Sequence, residues 1–417
     1  MHAGEARSTK IEMKLLLIGC NYAPEPIGIG VITAEFAQLM TERGHSVTVA
    51  TTFPHYPQYR WQRGRQVFAL DHSGDVTIRR MWTPLPRRRT ARWRIVYDTG
   101  FGVTALLNAR RAPRPDAIIA VCPPVQTAFA AAWLARRWGV PSCLWVKDLP
   151  LDLAVEVGLL STNSITHRLG SVLEKAAYGS CTEVVVLHER FAQAIARKGV
   201  ARERIKSIPN WVTETRPRMS LPRYRRMLGG ADGDFVLLHA GNMGAKQGLD
   251  NILAAASILR SNRLIRFALM GDGPRRDSIM AEAGRRQLTD MVILPLQADS
   301  EVPYFYAAAD ALLLDQVASV VNSVVPMKLL SYMAAGKPIV AAVHPESVAA
   351  QIVKEADCGL LVPPGRPTAL AEAARELSSN ANLDRLGRNA RQYMEKHFGR
   401  THVISRWEEL LAGLSGA

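Results

Sequence analysis

The sequence predicts an α/β protein built from two parallel-sheet domains. At 417 residues it exceeds the size at which a single core usually stops growing. Short β-branched runs alternate with helical patterns along the whole chain, as parallel sheets require. Residues 210–234 interrupt the alternation with Pro, Arg, Gly and polar residues that keep no period, the composition of a linker. The predicted division is a first domain over 13–209, the linker over 210–234, and a second domain over 235–395. Residues 396–417 form a closing helix, either a last core element or one that crosses back to the first domain.

In the first half, residues 14–20, 46–51, 76–81, 117–121, 142–146 and 183–187 read as strands. Helical periodicity follows over 31–43, 127–138, 165–178 and 189–198. The second half repeats the rhythm, with strands at 235–240, 266–270, 291–294, 311–314, 338–342 and 359–362. Its helices fit 248–260, 275–286, 302–309, 327–335, 345–354 and 368–378. Residues 382–414 are helical and amphipathic, with Tyr393, Phe398 and Trp407 spaced along them. Ligands of such sheets bind in the crevice outside the carboxyl ends of the strands, so two units of this kind would present a cleft there.

A hydrophobic content of 48% with 21% charged residues describes a packed chain, not a disordered one. The 52 basic residues exceed the 37 acidic ones and leave a net charge of +15, which favours anionic partners. From Arg79 to Arg114, ten arginines stand against one acid, Asp98. Over 92–111 these arginines mix with Trp93, Ile95, Val96, Tyr97, Phe101 and Val103. A helix there either lies on an anionic bilayer, with Arg88, Arg89, Arg92, Trp93 and Arg94 at the headgroups, or is a domain helix with solvated ends. No nucleic-acid reading motif accompanies the charge, which argues against that partner.

The five cysteines, Cys20, Cys122, Cys143, Cys181 and Cys358, are scattered and mostly within apolar runs, as buried thiols of a reducing compartment would be. Residues 1–12 are polar and lack the apolar core of a secretion signal. No apolar stretch reaches the ~20 residues that span a bilayer. The expected location is cytoplasmic, peripheral on the inner face of the plasma membrane.

Four strand ends carry candidate chemistry. Gly28 and Gly30 stand after the first strand and just before a helix, where glycines let backbone N–H groups approach an anion. A dinucleotide site would need a third glycine where Thr33 stands. The fifth strand of the first half delivers Asp148, which either orients and deprotonates an acceptor hydroxyl or caps a helix. In the second half, Gly241, Asn242, Gly244, Lys246 and Gly248 lead from a strand into a helix, and an ammonium among exposed N–H groups suits a diphosphate. Gly271 and Asp272 close the next strand. His55 lies in an aromatic, Pro-rich loop that suits an acceptor-side lid better than a core, while Asp152 and His188 are weaker candidates. Asp232-Gly233-Asp234 has metal-binding spacing but sits in the linker and reads as a turn; no metal site is predicted.

The order of these motifs resembles glycosyltransferase family 4, retaining enzymes of the two-Rossmann GT-B fold. It is most similar to the bacterial exopolysaccharide and O-antigen subgroup typified by colanic acid and fucosaminyl transferases. The carriers are Asn21-Tyr22-Ala23-Pro24-Glu25, Phe53-Pro54-His55-Tyr56-Pro57, Val146-Lys147-Asp148, Ile208-Pro209-Asn210-Trp211, the Gly241–Gly248 loop, Gly271-Asp272-Gly273-Pro274, and Val325-Pro326-Met327-Lys328 leading to Tyr332-Met333-Ala334-Ala335-Gly336.

The resemblance implies a UDP- or GDP-sugar donor, no permanent cofactor, and Gly28 and Gly30 facing the acceptor and donor phosphates. It places Lys246 on the donor diphosphate, with Asn242 where many relatives carry a second base. Gly271 and Asp272 would lie near the nucleotide, and Ser323, Val324, Val325, Met327 and Lys328 at a helix start would receive phosphates. Ser323 and Ser331 stand where the wider family has two glutamates, so Asp315, Asn322, Lys328 and Tyr332 are the local substitutes for those contacts. The implied activity is retaining transfer of a hexosyl group to a lipid-linked saccharide or polyprenyl diphosphate in surface polysaccharide synthesis. A nucleotide-sugar epimerase of related fold, and a basic nucleic-acid-binding protein, are the competing readings.

Overall fold

The computed structural model describes residues 12–25, 28–55, 60, 66–85, 91–156, 158, 160–212, 222–262, 264–321 and 327–415. The chain divides into two compact units. Unit 1 comprises Met1–Leu151, Thr162–Pro209 and Ile404–Ala417, and unit 2 comprises Asp152–Ser161 and Asn210–Val403.

From Lys14 to Ser207 the elements run β1 (Lys14–Ile18), α1 (Gly28–Glu42), β2 (Ser46–Thr52), β3 (Phe68–Ser73), β4 (Val76–Met81), α2 (Ala91–Ala109), β5 (Ala117–Cys122) and α3 (Gln126–Trp138). They continue through β6 (Ser142–Val146), α4 (Pro150–Glu156), α5 (Ile165–Ser180), β7 (Glu183–Val186), α6 (Glu189–Arg197) and β8 (Ile205–Ser207). Unit 1 holds an eight-stranded sheet in the order β3-β4-β2-β1-β5-β6-β7-β8. Every pairing is parallel except β3 with β4. The central strands β5 and β6 are buried at every position, because helices cover both faces and leave no solvent side to alternate with.

Two strands escape the sequence reading. β3 is an edge strand with three exposed and two half-exposed residues after an exposed Phe68, and it turns into β4 through Gly74 at φ +57°. An edge strand needs no apolar face, so it carries no hydrophobic period. β8, at the opposite edge, is three residues long. The crossovers β4-α2-β5, β5-α3-β6 and β6-α5-β7 all travel the same way across the sheet. Right-handed connection therefore puts α2, α3 and α5 on one face and α1, whose crossover runs the other way, on the opposite face. α3 packs against both α2 and α5.

The second half runs α7 (Pro222–Met227), β9 (Phe235–Ala240), α8 (Leu249–Ile258), β10 (Ile265–Met270), α9 (Arg276–Arg285), β11 (Val292–Leu294), α10 (Val302–Ala308) and β12 (Ala311–Asp315). It closes with α11 (Met327–Ala334), β13 (Ile339–Ala342), α12 (Val348–Ala356), β14 (Gly359–Val362), α13 (Pro367–Ser378), α14 (Leu383–Phe398) and α15 (Arg400–Ser415). Its six strands form one parallel sheet in the order β11-β10-β9-β12-β13-β14. α7 falls inside the stretch read as periodless linker. Its six residues hold through tertiary contacts: Tyr224 is buried, stacks on Tyr304 at 5.2 Å and meets Phe305 edge-on at 4.8 Å. Arg225 adds an ion pair to Asp310 at 2.7 Å.

The last residues, from Ile404, pack within unit 1. Trp407 is fully buried against Phe36 of α1 at 5.1 Å and Trp145 of β6 at 4.8 Å. Arg43 pairs with Glu408 at 2.9 Å. All five cysteines are buried and free.

Candidate functional site

In unit 2, β9 and β10 lie side by side in register, so the loops at their carboxyl ends leave the sheet together. Gly241 and Gly271 are the first residues beyond the strands, at φ +127° and +151°, and Gly273 follows at +150°. These backbones are accessible to glycine and rarely to other residues. A Cβ on Gly271 would lie 1.9 Å from the Gly241 carbonyl oxygen, and one on Gly273 would meet the Met243 backbone at 2.8 Å. The Met243 N–H donates to the Asp272 carbonyl at 2.8 Å, and the Arg275 N–H to Met243 at 3.0 Å. Glycine at 271 thus lets the two loops close on each other. Asp272 is exposed, and its carboxylate accepts the next N–H, that of Gly273, at 2.8 Å.

The far end of the first loop is pinned to β12. Val317 N–H donates to Lys246 O at 3.0 Å and Gly248 N–H to Asp315 O at 3.1 Å. Lys246 is half-buried, and its ammonium has no ion-pair partner among the described residues. Asn242 is exposed beside it in sequence, and Gly244 has no close neighbour that forbids a side chain.

Beneath this loop lies a polar cluster that the sequence reading resolved only in part. Lys328, in the first turn of α11, runs directly under Gly241, whose Cβ would come 2.8 Å from Lys328 Cε. Its ammonium donates to Gln247 Oε1 at 3.1 Å and to His239 Nε2 at 2.9 Å. His239 Nδ1 in turn donates to Leu313 O at 3.0 Å, which fixes the tautomer. Asp315 is fully buried; its Oδ2 accepts from Asn251 Nδ2 at 2.7 Å, and its Oδ1 has no hydrogen-bond partner among the described residues. Burial pushes the Asp315 carboxyl up to about 7, against the pull of Asn251 and Lys328. Burial likewise brings the Lys328 ammonium down to about 7, opposed by Asp315. His239 is held well below its ordinary value by burial and then by the Lys328 charge. As the structure stands, Lys328 braces the loop from below. Buried histidine in an otherwise aliphatic strand was the one available signal for His239.

Tyr332, read as a sugar or ribose contact, is fully buried and does other work. Its hydroxyl accepts from Ala240 N at 2.8 Å and donates to Ala240 O at 3.1 Å, tying α11 to the end of β9. Next to that tie is a cavity of ≈ 310 Å³ lined by Gly241, Met270, Leu296, Tyr306, Ser331 and Ala335, among others. Ser331 thus lies on the cavity wall, while the Tyr332 hydroxyl is held by the Ala240 backbone. Met327 opens α11 half-buried; Ser323, Val324, Val325 and Asn322 lie outside the described residues.

In unit 1, Gly28, Gly30 and His55 stand differently from the sequence reading. Gly28 and Gly30 belong to the first turn of α1 and not to a loop before it. His55 is no lid: it is 1% exposed and sits at the centre of a hydrogen-bonded hub. Glu25, also buried, accepts from the His55 N–H at 2.8 Å and from Asn21 Nδ2 at 2.7 Å. His55 Nδ1 is 3.2 Å from Glu25 Oε1 and Nε2 is 2.8 Å from the Tyr97 hydroxyl. Burial holds that hydroxyl well above its ordinary value and pushes the adjoining Cys20 thiol up to about 12. Arg80, one of the ten arginines, is buried here and donates to Ala23 O at 2.6 Å and Thr52 O at 3.1 Å. A loop with a proline-flanked glutamate between strand and helix was the signal for Glu25.

Asp148 is half-buried at the carboxyl end of β6, after Lys147, whose ammonium is buried 3.0 Å from the Trp145 ring centre. Burial lowers that ammonium well below the usual lysine range, with Asp148 opposing. His188 caps α6 by accepting from the Arg190 N–H at 3.2 Å, and Asp152 lies in the first turn of α4. Asp232-Gly233-Asp234 forms a turn with Gly233 at φ +86°, and Asp234 pairs with Arg266 at 3.1 Å. Among the described residues no group of His, Cys, Asp or Glu gathers that could hold a metal ion.

On the basic segment, Arg88 and Arg89 lie outside the described residues, and Arg92 lies in α2. Trp93 is half-buried, and Arg94 is exposed and paired with Asp98 at 2.8 Å. α2 carries apolar residues on two sides: Tyr97, Phe101 and Ala105 are buried in unit 1, while Ile95, Val96 and Val103 are exposed.

Comparison with known proteins agrees with this architecture. Residues 28–211 match the glycosyl transferase 4-like domain and residues 222–393 the group 1 glycosyl transferases. The WcaI glycosyl transferase of Escherichia coli K12, named for colanic acid biosynthesis, is 30% identical over 335 residues, covering 78% of this chain and 82% of that protein. Among solved structures, sucrose-phosphate synthase from Thermosynechococcus elongatus superposes with a TM-score of 0.73 at 17% identity, covering 97% of this chain and 99% of that one. The Anabaena protein Alr3699/HepE, solved in complex with UDP and glucose, gives 0.68 at 17% identity over 97% and 100% of the two chains. Two parallel α/β units, one matching the glycosyl transferase 4-like domain and the other the group 1 domain, place this chain among the GT-B glycosyltransferases.

Proposed function

We propose that this glycosyltransferase moves a hexosyl group, with retention, from UDP- or GDP-sugar to a lipid-linked saccharide or polyprenyl diphosphate at the inner face of a bacterial plasma membrane. The observation that carries the donor reading is within unit 2. An ammonium without an ion-pair partner, Lys246, stands on the same loop whose Gly241 borders the ≈ 310 Å³ cavity. The cavity takes the nucleoside, with Tyr306 and Ser331 on its wall, and Lys246 meets the diphosphate by a charge-assisted contact. The structural neighbour solved in complex with UDP and glucose supports a nucleotide-sugar donor.

In the reaction, the bond from the sugar C1 to the diphosphate oxygen breaks, and the acceptor oxygen bonds C1 on the same face. The acceptor proton passes to the departing diphosphate, whose charge Lys246 stabilises. Asp148, at a strand's carboxyl end, orients the acceptor hydroxyl. His55 acts as a positioning residue, holding the Glu25 loop through the hub described above. Arg88, Arg89, Arg92, Trp93 and Arg94 belong to the surface that meets anionic lipid.

Thermal unfolding against UDP- and GDP-sugars tests the donor, because a ligand that binds only the folded state raises its stability. Lys246→Ala is expected to weaken the recognised donor by about 1.5–3 kcal/mol, the worth of a hydrogen bond to a charged group. Unchanged donor affinity and turnover in that variant remove Lys246 from the mechanism. An inverted anomeric configuration in the product, read by NMR, removes retention.

A further inference from the structure

Helix α5 has its amphipathic pattern turned inside out. Its apolar residues recur at Ile165, Leu169, Val172 and Leu173, the spacing of one helical face. That face looks outward: Ile165 is 75% exposed, Leu169 67% and Val172 68%. The side facing the protein instead carries Glu174, buried and paired with Lys198. α3, packed against α5, adds Phe129 and Trp133, one turn apart and exposed. α2, on the other side of α3, adds Ile95, Val96 and Val103. All three helices lie on one side of the unit 1 sheet, by the shared hand and direction of their crossovers. Apolar groups from three neighbouring helices thus form one surface, and contiguous exposed apolar surface of this kind marks an interaction site.

The charges around that surface choose the occupant. The acids of α2, α3 and α5 are Asp98, bonded to Arg94, and Glu174, which is buried. The exposed bases are Arg94, Arg136, Arg137, Arg168 and Lys175. An apolar face rimmed by cations with no exposed acid on its helices complements an anionic bilayer, whose headgroups meet the bases while the apolar side chains enter the acyl boundary. Each helix runs back from the carboxyl end of the sheet, so Ile165, Leu169, Phe129, Ile95 and Val96, in the first turns, lie at the edge that carries Asp148. We propose that unit 1 seats on an anionic membrane through α3 and α5 together with α2, with the Ile165–Leu169–Val172 stripe as the inserting element. This extends the lipid-acceptor reading, yet membrane binding is measured without turnover.

The full chain is floated with vesicles of phosphatidylethanolamine and phosphatidylglycerol, or of phosphatidylcholine alone, all free of acceptor. The wild type is expected to float with the anionic vesicles and to stay behind with the neutral ones. Leu169→Glu/Val172→Glu, at exposed positions, is expected to lose at least about tenfold in partition, since two apolar side chains no longer leave water. Arg136→Gln/Arg137→Gln is expected to lose roughly fivefold per arginine. Both variants keep their unfolding temperature and their response to UDP- or GDP-sugar, which separates this result from failure of the donor assignment. Unchanged flotation of the α5 variant overturns the proposal. So does a dimer that the α5 substitutions split, which gives the face to a second copy, or salt-sensitive DNA binding lost with the arginines.

Discussion

Gly248→Ala is the substitution whose cost can be worked most directly from the structure. The backbone at Gly248 has φ −80°, outside the left-handed region that favours glycine, so the cost of alanine there is mainly steric. Its methyl group would lie 1.9 Å from Asp315 Oδ1 and 2.7 Å from Asp315 Cγ. Asp315 has nowhere to go: it is fully buried on β12, and its other oxygen holds Asn251 at 2.7 Å. Relief requires either a shift of the loop, costing about 1–3 kcal/mol as overpacking, or a turn of the carboxylate that breaks the Asn251 bond, costing about 1.5–3 kcal/mol. With either route, or part of each, the expected loss is about 1–3 kcal/mol. For a unit near 200 residues, each kcal/mol moves the melting temperature by about 2–4 °C, so the variant should melt roughly 2–12 °C lower. Calorimetry on the full chain measures this. The clash is isolated by repeating the substitution in an Asp315→Ala background, where the cost should fall below about 1 kcal/mol as the coupled term disappears. Equal costs in both backgrounds, or a wild-type melting temperature for Gly248→Ala, would refute the argument.

Two further outcomes follow from buried groups. Asp315 has a folded pKa raised from 3.8 to about 7, so the folded chain holds the proton longer than the unfolded one and stability falls as pH rises through that window. Lys328, lowered from 10.5 to about 7, gives the opposite slope above 7, where stability recovers. Asp315→Asn should flatten the acid-side decline in urea titrations between about pH 4 and 7, and an unaltered slope there would assign the decline to other groups. Trp407→Ala removes a fully buried indole from between Phe36 and Trp145 and should destabilise unit 1 by about 3–5 kcal/mol. Because the Trp407 indole nitrogen has no hydrogen-bond partner among the described residues, the loss is one of packing, and Trp407→Phe should restore part of it. An unfolding midpoint that does not move would show that the C-terminal helix contributes nothing to unit 1.

What the sequence determined by itself was the alternation of strand and helix, the two sheets and the strand ends where a ligand site belongs. Those features depend on local hydrophobic runs and on glycines beside them, and β9, β10 and β12 fell where their apolar runs stand. It also singled out Lys246 and Lys328 by position. The roles of many of those residues were decided only by the tertiary structure. Gly271 stands where another loop approaches within 1.9 Å of the place a side chain would occupy. His55 looked like a lid residue in a loop of prolines and aromatics, and its burial depends on Glu25 and Tyr97, which lie 30 and 42 residues away. Lys328, Asp315 and His239 form one cluster although β9, β12 and α11 are distant in sequence. The outward apolar face of α5 is the sharpest case. Its periodicity is that of any domain helix, and period alone cannot say which side of a helix meets the core; that depends on the sheet and the neighbouring α3 against which it packs.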